Sequence, residues 1–135
     1  DIRIPPFHFD PDQIKRVFTN LVDNAVAATD GVEKPSVAIK THYDSVLNII
    51  RAEVCDNGMG VSDDHRARIF EPYFRTKEAG TGLGLAIVKK IISDHNGIIR
   101  AMTNKPIGTR IVFELPLVLK RSQGIYNVTE TDQQV

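Results

Sequence analysis

Strand-like runs come in adjacent pairs in this chain, and an apolar helical stripe precedes each pair. That order admits few folds. The first stripe is Ile14, Val17, Phe18, Leu21, Val22, Ala25 and Ala28, the spacing of a helix that lays one face on a core. Asp10 can cap it, Pro11 suits the first helical position, and Gln13 stands where a capping box wants Glu or Gln. Asp30-Gly31 ends it. Strand-like runs follow at 36–43 and 46–55, with Asp44-Ser45 able to turn the chain between them. After the turn Asp56-Asn57-Gly58-Met59-Gly60, Ser62 or Asp63 can cap a short helix reaching about Phe70. Residues 71–81 lack periodicity and read as a mobile loop. Residues 83–92 form a second apolar helix, closed by a C-cap at His95-Asn96-Gly97. Residues 98–103 and 110–115 make a last hairpin around Pro106-Ile107-Gly108. Short turns between neighbouring strands favour antiparallel pairing. Helices segregated over such a sheet make a two-layer α+β domain.

The chain has 135 residues, the size of one domain with a core of its own. We expect that domain over 1–118 and a loosely held polar tail over 119–135. Its first residue is Asp1 rather than Met, as in a piece of a longer chain. Seventeen basic and seventeen acidic residues cancel, which argues against a general nucleic-acid binder. No apolar run approaches the length of a membrane span, and none resembles a signal peptide. The single cysteine, Cys55, excludes an internal disulfide and reads as a small buried residue rather than a nucleophile.

Four groups of residues bear on chemistry. Asn20 and Asn24 lie one turn apart on the first helix, Asn24 at one edge of the apolar stripe and Asn20 just outside it. A carboxamide there can offer oxygen to a hard cation such as Mg²⁺, although taken alone the pair reads more simply as two exposed asparagines. Asp56-x-Gly58-x-Gly60 ends an apolar strand, where a carboxylate can accept from an exocyclic amine such as that of adenine; Asn57-Gly58 equally spells a hairpin turn. Gly80-Thr81-Gly82-Leu83-Gly84-Leu85 runs straight into a helix. It fits neither the dinucleotide fingerprint nor the P-loop. Its exposed N–H groups and the helix dipole suit phosphate, and Arg75, Thr76 and Lys77 lie just upstream; the alternative is a flexible hinge. Phe70-Glu71-Pro72-Tyr73-Phe74 is either ordinary core or the anchor of a lid.

In this order the four groups resemble the catalytic ATP-binding domain of two-component sensor histidine kinases, most of all those of the nitrogen-regulation type. Asn20-Leu21-Val22-Asp23-Asn24 is similar to the N box, Asp56 to Gly60 to the first glycine box, Phe70 to Phe74 to the F box and Gly80 to Leu85 to the second glycine box. Gly108-Thr109 is similar to the last glycine-threonine element, which borders the adenine. The resemblance covers about residues 10–117. It implies the Bergerat-type sandwich, a mixed, mostly antiparallel sheet with helices on one face, shared with gyrase, Hsp90 and MutL ATPases. It implies ATP and Mg²⁺ as cofactors, with Asn24 on the metal and Asp56 on the adenine amine. The Gly82-Leu83-Gly84 backbone would meet the phosphates, with Arg75 and Lys77 as the nearest cations. On the resemblance, the catalytic set is Asn20, Asn24, Arg75 and Lys77. The nucleotide site extends over Gly58, Gly60, Phe70, Thr76, Gly80, Thr81, Leu85 and Thr109.

The implied parent is a cytoplasmic kinase domain, its whole protein open to membrane anchoring. It moves the γ-phosphoryl group to a histidine on separate dimerisation helices and thence serves a response-regulator receiver. Two departures stand out. Ala27 occupies a position often basic in relatives, and Pro106-Ile107 precede Gly108 where a further glycine is usual, so how closely that turn approaches the base stays open. A self-contained ATPase of the gyrase, Hsp90 and MutL kind would need a glutamate where Asn20 stands, a side chain that is no base. A third class is a nucleotide-binding module that only docks a partner. No histidine is followed by Asp or Glu, as the acceptor histidine of the family is, so we expect a monomeric piece that does not phosphorylate itself.

Overall fold

The computed structural model describes residues 1–74 and 82–117. The elements run α1 (Pro11–Ala28), β1 (Val37–Asp44), β2 (Ile49–Asp56), α2 (Asp63–Arg66), α3 (Gly84–Asp94), β3 (Ile98–Thr103) and β4 (Thr109–Pro116). The four strands form one sheet in the order β1-β2-β4-β3. Every pairing among the described residues is antiparallel, so no parallel pair of the expected mixed sheet is seen there. The polar tail and the greater part of the 71–81 loop lie outside the described residues.

Strand alternation sends one side chain in two toward the helices. Ala52 and Val54 of β2, with Ile111, Phe113 and Leu115 of β4, meet Val17, Leu21 and Ala25 of α1 and Val88, Ile91 and Ile92 of α3. Phe18 adds an edge-to-face contact on Phe113, their centroids 5.5 Å apart. On the opposite face Arg51 donates to Glu114 Oε1 at 2.7 Å, and Arg110 lies 3.8 Å from Glu53. The two layers expected from the sequence are therefore present, with helices on one face.

Local departures have local causes. The second strand begins at Ile49 rather than near Val46. The Asp44 carboxylate accepts from the N–H groups of Val46 and Leu47, both at 2.9 Å, and so folds the turn that a longer strand would have used up. The Leu47 N–H, foremost, holds that carboxyl below its usual range. α2 stops at Arg66; residues 67–70 continue as turns, and the Ser62 side chain makes no capping bond. At the head of α1, Asp10 accepts from the N–H groups of Asp12 and Gln13, at 3.0 and 3.2 Å. The reciprocal half of the expected capping box is replaced: the Asp10 N–H donates to His95 Nε2 at 3.2 Å. Since Nε2 accepts, the proton of the neutral ring sits on Nδ1, which donates to the Ile91 carbonyl at 2.8 Å. His95 thus ties the start of α1 to the end of α3. The expected C-cap is there too. Asn96, at φ 60°, takes the left-handed position, and Gly97 N–H closes on Ile92 O at 2.8 Å.

Candidate functional site

Asp56 is the last residue of β2 and is only 6% exposed. A buried carboxylate needs donors. Its Oδ1 accepts from Gly58 N–H at 2.9 Å and from Thr109 N–H at 3.2 Å. Its Oδ2 takes no hydrogen bond among the described residues and is not sealed from solvent. One oxygen is therefore fixed and the other is left as an acceptor. Thr109 is itself buried, and its N–H reaches the carboxylate although Pro106 and Ile107 precede Gly108. The hairpin turn does come up to the strand end.

The glycines of this turn are required by backbone rather than by open space. A Cβ on Gly58 would lie 2.2 Å from the Ala28 carbonyl oxygen at the end of α1. A Cβ on Gly108, which has φ +121°, would lie 1.9 Å from the Asp56 carbonyl oxygen. Gly60 lies against Gly108, with its ideal Cβ 3.3 Å from the Gly108 carbonyl oxygen. The first glycine box and the last glycine-threonine turn are thus packed on each other around Asp56.

At its middle, α1 meets the second glycine box. Asn20 Oδ1 lies 3.7 Å from where a Cβ on Gly84 would stand. Asn24, one turn on, is exposed. From Asn20 to Ala28 the helix rises about 12 Å, so one helix connects the two glycine motifs and carries Asn24 between them. Sequence spacing placed Asn20 outside the stripe and Asn24 at its edge; the structure half-buries Asn20 and exposes Asn24, because α3 packs beside Asn20.

Gly82 has φ +71°, and its carbonyl accepts from Tyr73 N–H at 2.9 Å, which closes the base of the loop between them. Leu83 precedes α3, and Leu85, half-buried, packs on the core. Phe70 is 8% exposed and lies in the core cluster, the ordinary-core alternative for the aromatic run. Phe74 is held by the Arg68 guanidinium, 4.7 Å over its ring, and by the His65 ring edge. Tyr73 is exposed. Arg75, Thr76, Lys77, Gly80 and Thr81 lie outside the described residues.

Cys55 is buried and free, on the sheet face away from the helices, and burial pushes its thiol pKa up. It is an uncharged packing residue. Among the described residues no three His, Cys, Asp or Glu side chains cluster as a metal site, and no helix is long and apolar enough to cross a membrane.

Sequence reasoning passed over two asparagines. Asn57 Oδ1 accepts from Ser36 N–H at 2.8 Å while its Nδ2 donates to Lys34 O at 2.7 Å, clamping the segment before β1 onto the turn. Asn104 Nδ2 donates to the Asp56 carbonyl at 2.8 Å. Asn57 carried a turn signal only, and Asn104 carried none that pointed to Asp56.

A one-sided antiparallel domain with these motifs at the middle and the end of its first helix has close counterparts. Full-length ShkA in complex with AMPPNP superposes with a TM-score of 0.75 at 31% identity, over 85% of this chain and 24% of that one. The catalytic domain of the histidine kinase ThkA, nucleotide-free, superposes at 0.70 with 38% identity, over 80% of this chain and 68% of that one. The family described as histidine kinase-, DNA gyrase B- and HSP90-like ATPase matches residues 9–119. This chain belongs to that family. It is 38% identical to the sensory histidine kinase/phosphatase NtrB of Rhodobacter capsulatus, over 89% of this chain and 36% of that protein. It is 37% identical to sporulation kinase E of Bacillus subtilis, over 84% and 15%. It is 36% identical to the sensor histidine kinase ZraS of Escherichia coli O157:H7, over 87% and 25%. The chain therefore spans about a third or less of these curated relatives.

Proposed function

We propose that this chain binds Mg²⁺-ATP and supplies the γ-phosphoryl group to a histidine on dimerisation helices of the same parent protein, in two-component signalling. The observation that carries the nucleotide site is the half-satisfied Asp56 carboxylate: Oδ1 is held by two N–H groups and Oδ2 takes no hydrogen bond among the described residues. An exocyclic amine can donate to that oxygen, which selects adenine over an oxo-purine. The relation to ShkA, whose structure holds AMPPNP, supports a nucleotide here.

With adenine at Asp56, an extended nucleotide lies along α1 toward Gly84. Asn24 stands on the way, exposed, its side chain without a hydrogen bond among the described residues. A lone carboxamide oxygen suits Mg²⁺, which keeps waters and phosphate oxygens as its other ligands. When bound, the ion would neutralise charge on the transferring phosphoryl group. Gly82, Leu83 and Gly84 bring the start of α3 to the phosphates, and Arg75 and Lys77 supply positive charge. Asn20, whose Oδ1 lies 3.7 Å from where a Cβ on Gly84 would stand, positions this end. Thr109 orients Asp56, while Gly58 and Gly60 shape the turn. No carboxylate stands at Asn20 to activate water, which favours phosphoryl transfer over a self-contained ATPase. The receiving partner downstream is a response-regulator receiver, and the site of action is the cytoplasm.

The test is phosphorylation in trans. The chain is incubated with labelled Mg²⁺-ATP, alone and with the parent's dimerisation helices. Acid-labile phosphate should form on the added helices and not on the chain. Free phosphate released at the same rate with and without the helices would instead mark a self-contained ATPase.

A further inference from the structure

Asn104, just after β3, makes two bonds that meet on the same strand end. Its N–H donates to the Gly108 carbonyl at 3.0 Å and closes the hairpin turn. Its side-chain Nδ2 donates to the Asp56 carbonyl at 2.8 Å and seats that turn on β2. Gly108 lies over the same carbonyl, so closely that any side chain there would strike it. The next residue is Thr109, whose N–H holds Asp56 Oδ1. Asn104 thus fixes the main chain of Asp56 and one of the two donors on its Oδ1, the other being Gly58 N–H, without reaching Oδ2 itself.

We infer that Asn104 is a positioning residue for base selection: it aims the open oxygen of Asp56 at the amine of the base. This rests on the adenine site proposed above. Without the Asn104 amide, the Asp56 carbonyl loses that side-chain donor, the turn over residues 104–108 loses an anchor, and Thr109 N–H is no longer pressed on Oδ1. The carboxylate is then held by Gly58 N–H alone and can turn about that one bond. A hydrogen bond weakens steeply with misalignment, whereas stacking and phosphate contacts do not depend on that angle. The loss should fall on the amine alone.

The test is calorimetric titration of Mg²⁺-loaded, non-hydrolysable analogues of ATP and of inosine triphosphate, whose base carries an oxo group in place of the amine. The proteins are wild type, Asp56→Asn, Asn104→Ala, Asn104→Asp and His95→Ala. Asn104→Asp keeps the shape and removes the donor, so it serves if the alanine variant folds poorly. His95→Ala breaks a link far from the base and controls for lost stability. In Asn104→Ala and Asn104→Asp the preference for the adenine analogue should fall about five- to tenfold, through weaker adenine binding with inosine binding unchanged. His95→Ala should keep the wild-type preference. An unchanged preference in both Asn104 variants, with Asp56→Asn losing it, would overturn the role of Asn104 and leave the adenine site standing. Equal weakening of both analogues would reduce Asn104 to scaffold and overturn it likewise. A preference untouched by Asp56→Asn would overturn the adenine site and this inference together.

Discussion

Gly58 and Gly108 are fixed by the backbone they touch. The Ala28 carbonyl belongs to the last turn of α1, and it cannot move without dragging a packed helix. Gly58→Ala should therefore cost about 2–3 kcal/mol by overpacking, seen as a lower denaturant midpoint with an unchanged slope. Stability equal to wild type would mean that α1 and the turn are not in this contact. Sequence showed these glycines as permissive turn residues beside a ligand. Their tightest neighbours are protein, because the turn of one hairpin and the end of a helix converge on the Asp56 main chain. Such convergence joins positions 28, 56 and 108, and no local pattern announces it.

At the scale of elements, α1 carries much of the architecture. Its buried edge of Val17, Leu21 and Ala25 packs on the sheet, its middle meets Gly84, and its end meets Gly58. Leu21 is almost fully buried in the core cluster. Leu21→Ala should lower stability by about 2–5 kcal/mol through lost transfer and a residual cavity, measured by urea unfolding. A cost well under 1 kcal/mol would put the packing of α1 in error. This helix was the most legible element, because its cap, its proline and its 3-4 spacing all agree. The short α2 ends at Arg66, short of the reach to about Phe70 that its pattern predicts. Apolar residues Ile69 and Phe70 extend its pattern, but they are buried from a turn rather than from a helix. In the sequence His95 carries only the signal of a C-cap. Its second role, accepting from Asp10 N–H, spans 85 positions and left no trace in either segment.

For the molecule as a whole, four motifs in fixed order reveal the fold class and the family whose pattern spans residues 9–119. Motifs are local in sequence and carry their own turns and helix starts, which is why they can be read. The strand order β1-β2-β4-β3 could not be read the same way. It depends on β4 pairing with β2 across α2, α3 and β3, and the runs themselves are equally good strands in several orders. The Asn104 strap depends on that order and was invisible with it.

The site as a whole stands on Asp56. The most direct measurement is calorimetric titration of wild type and Asp56→Asn with a Mg²⁺-loaded, non-hydrolysable ATP analogue. An amine donor cannot use the amide in place of the carboxylate at full strength, so binding should weaken about tenfold or more in a variant that remains folded. Binding of equal strength in the two proteins would contradict adenine recognition by Asp56.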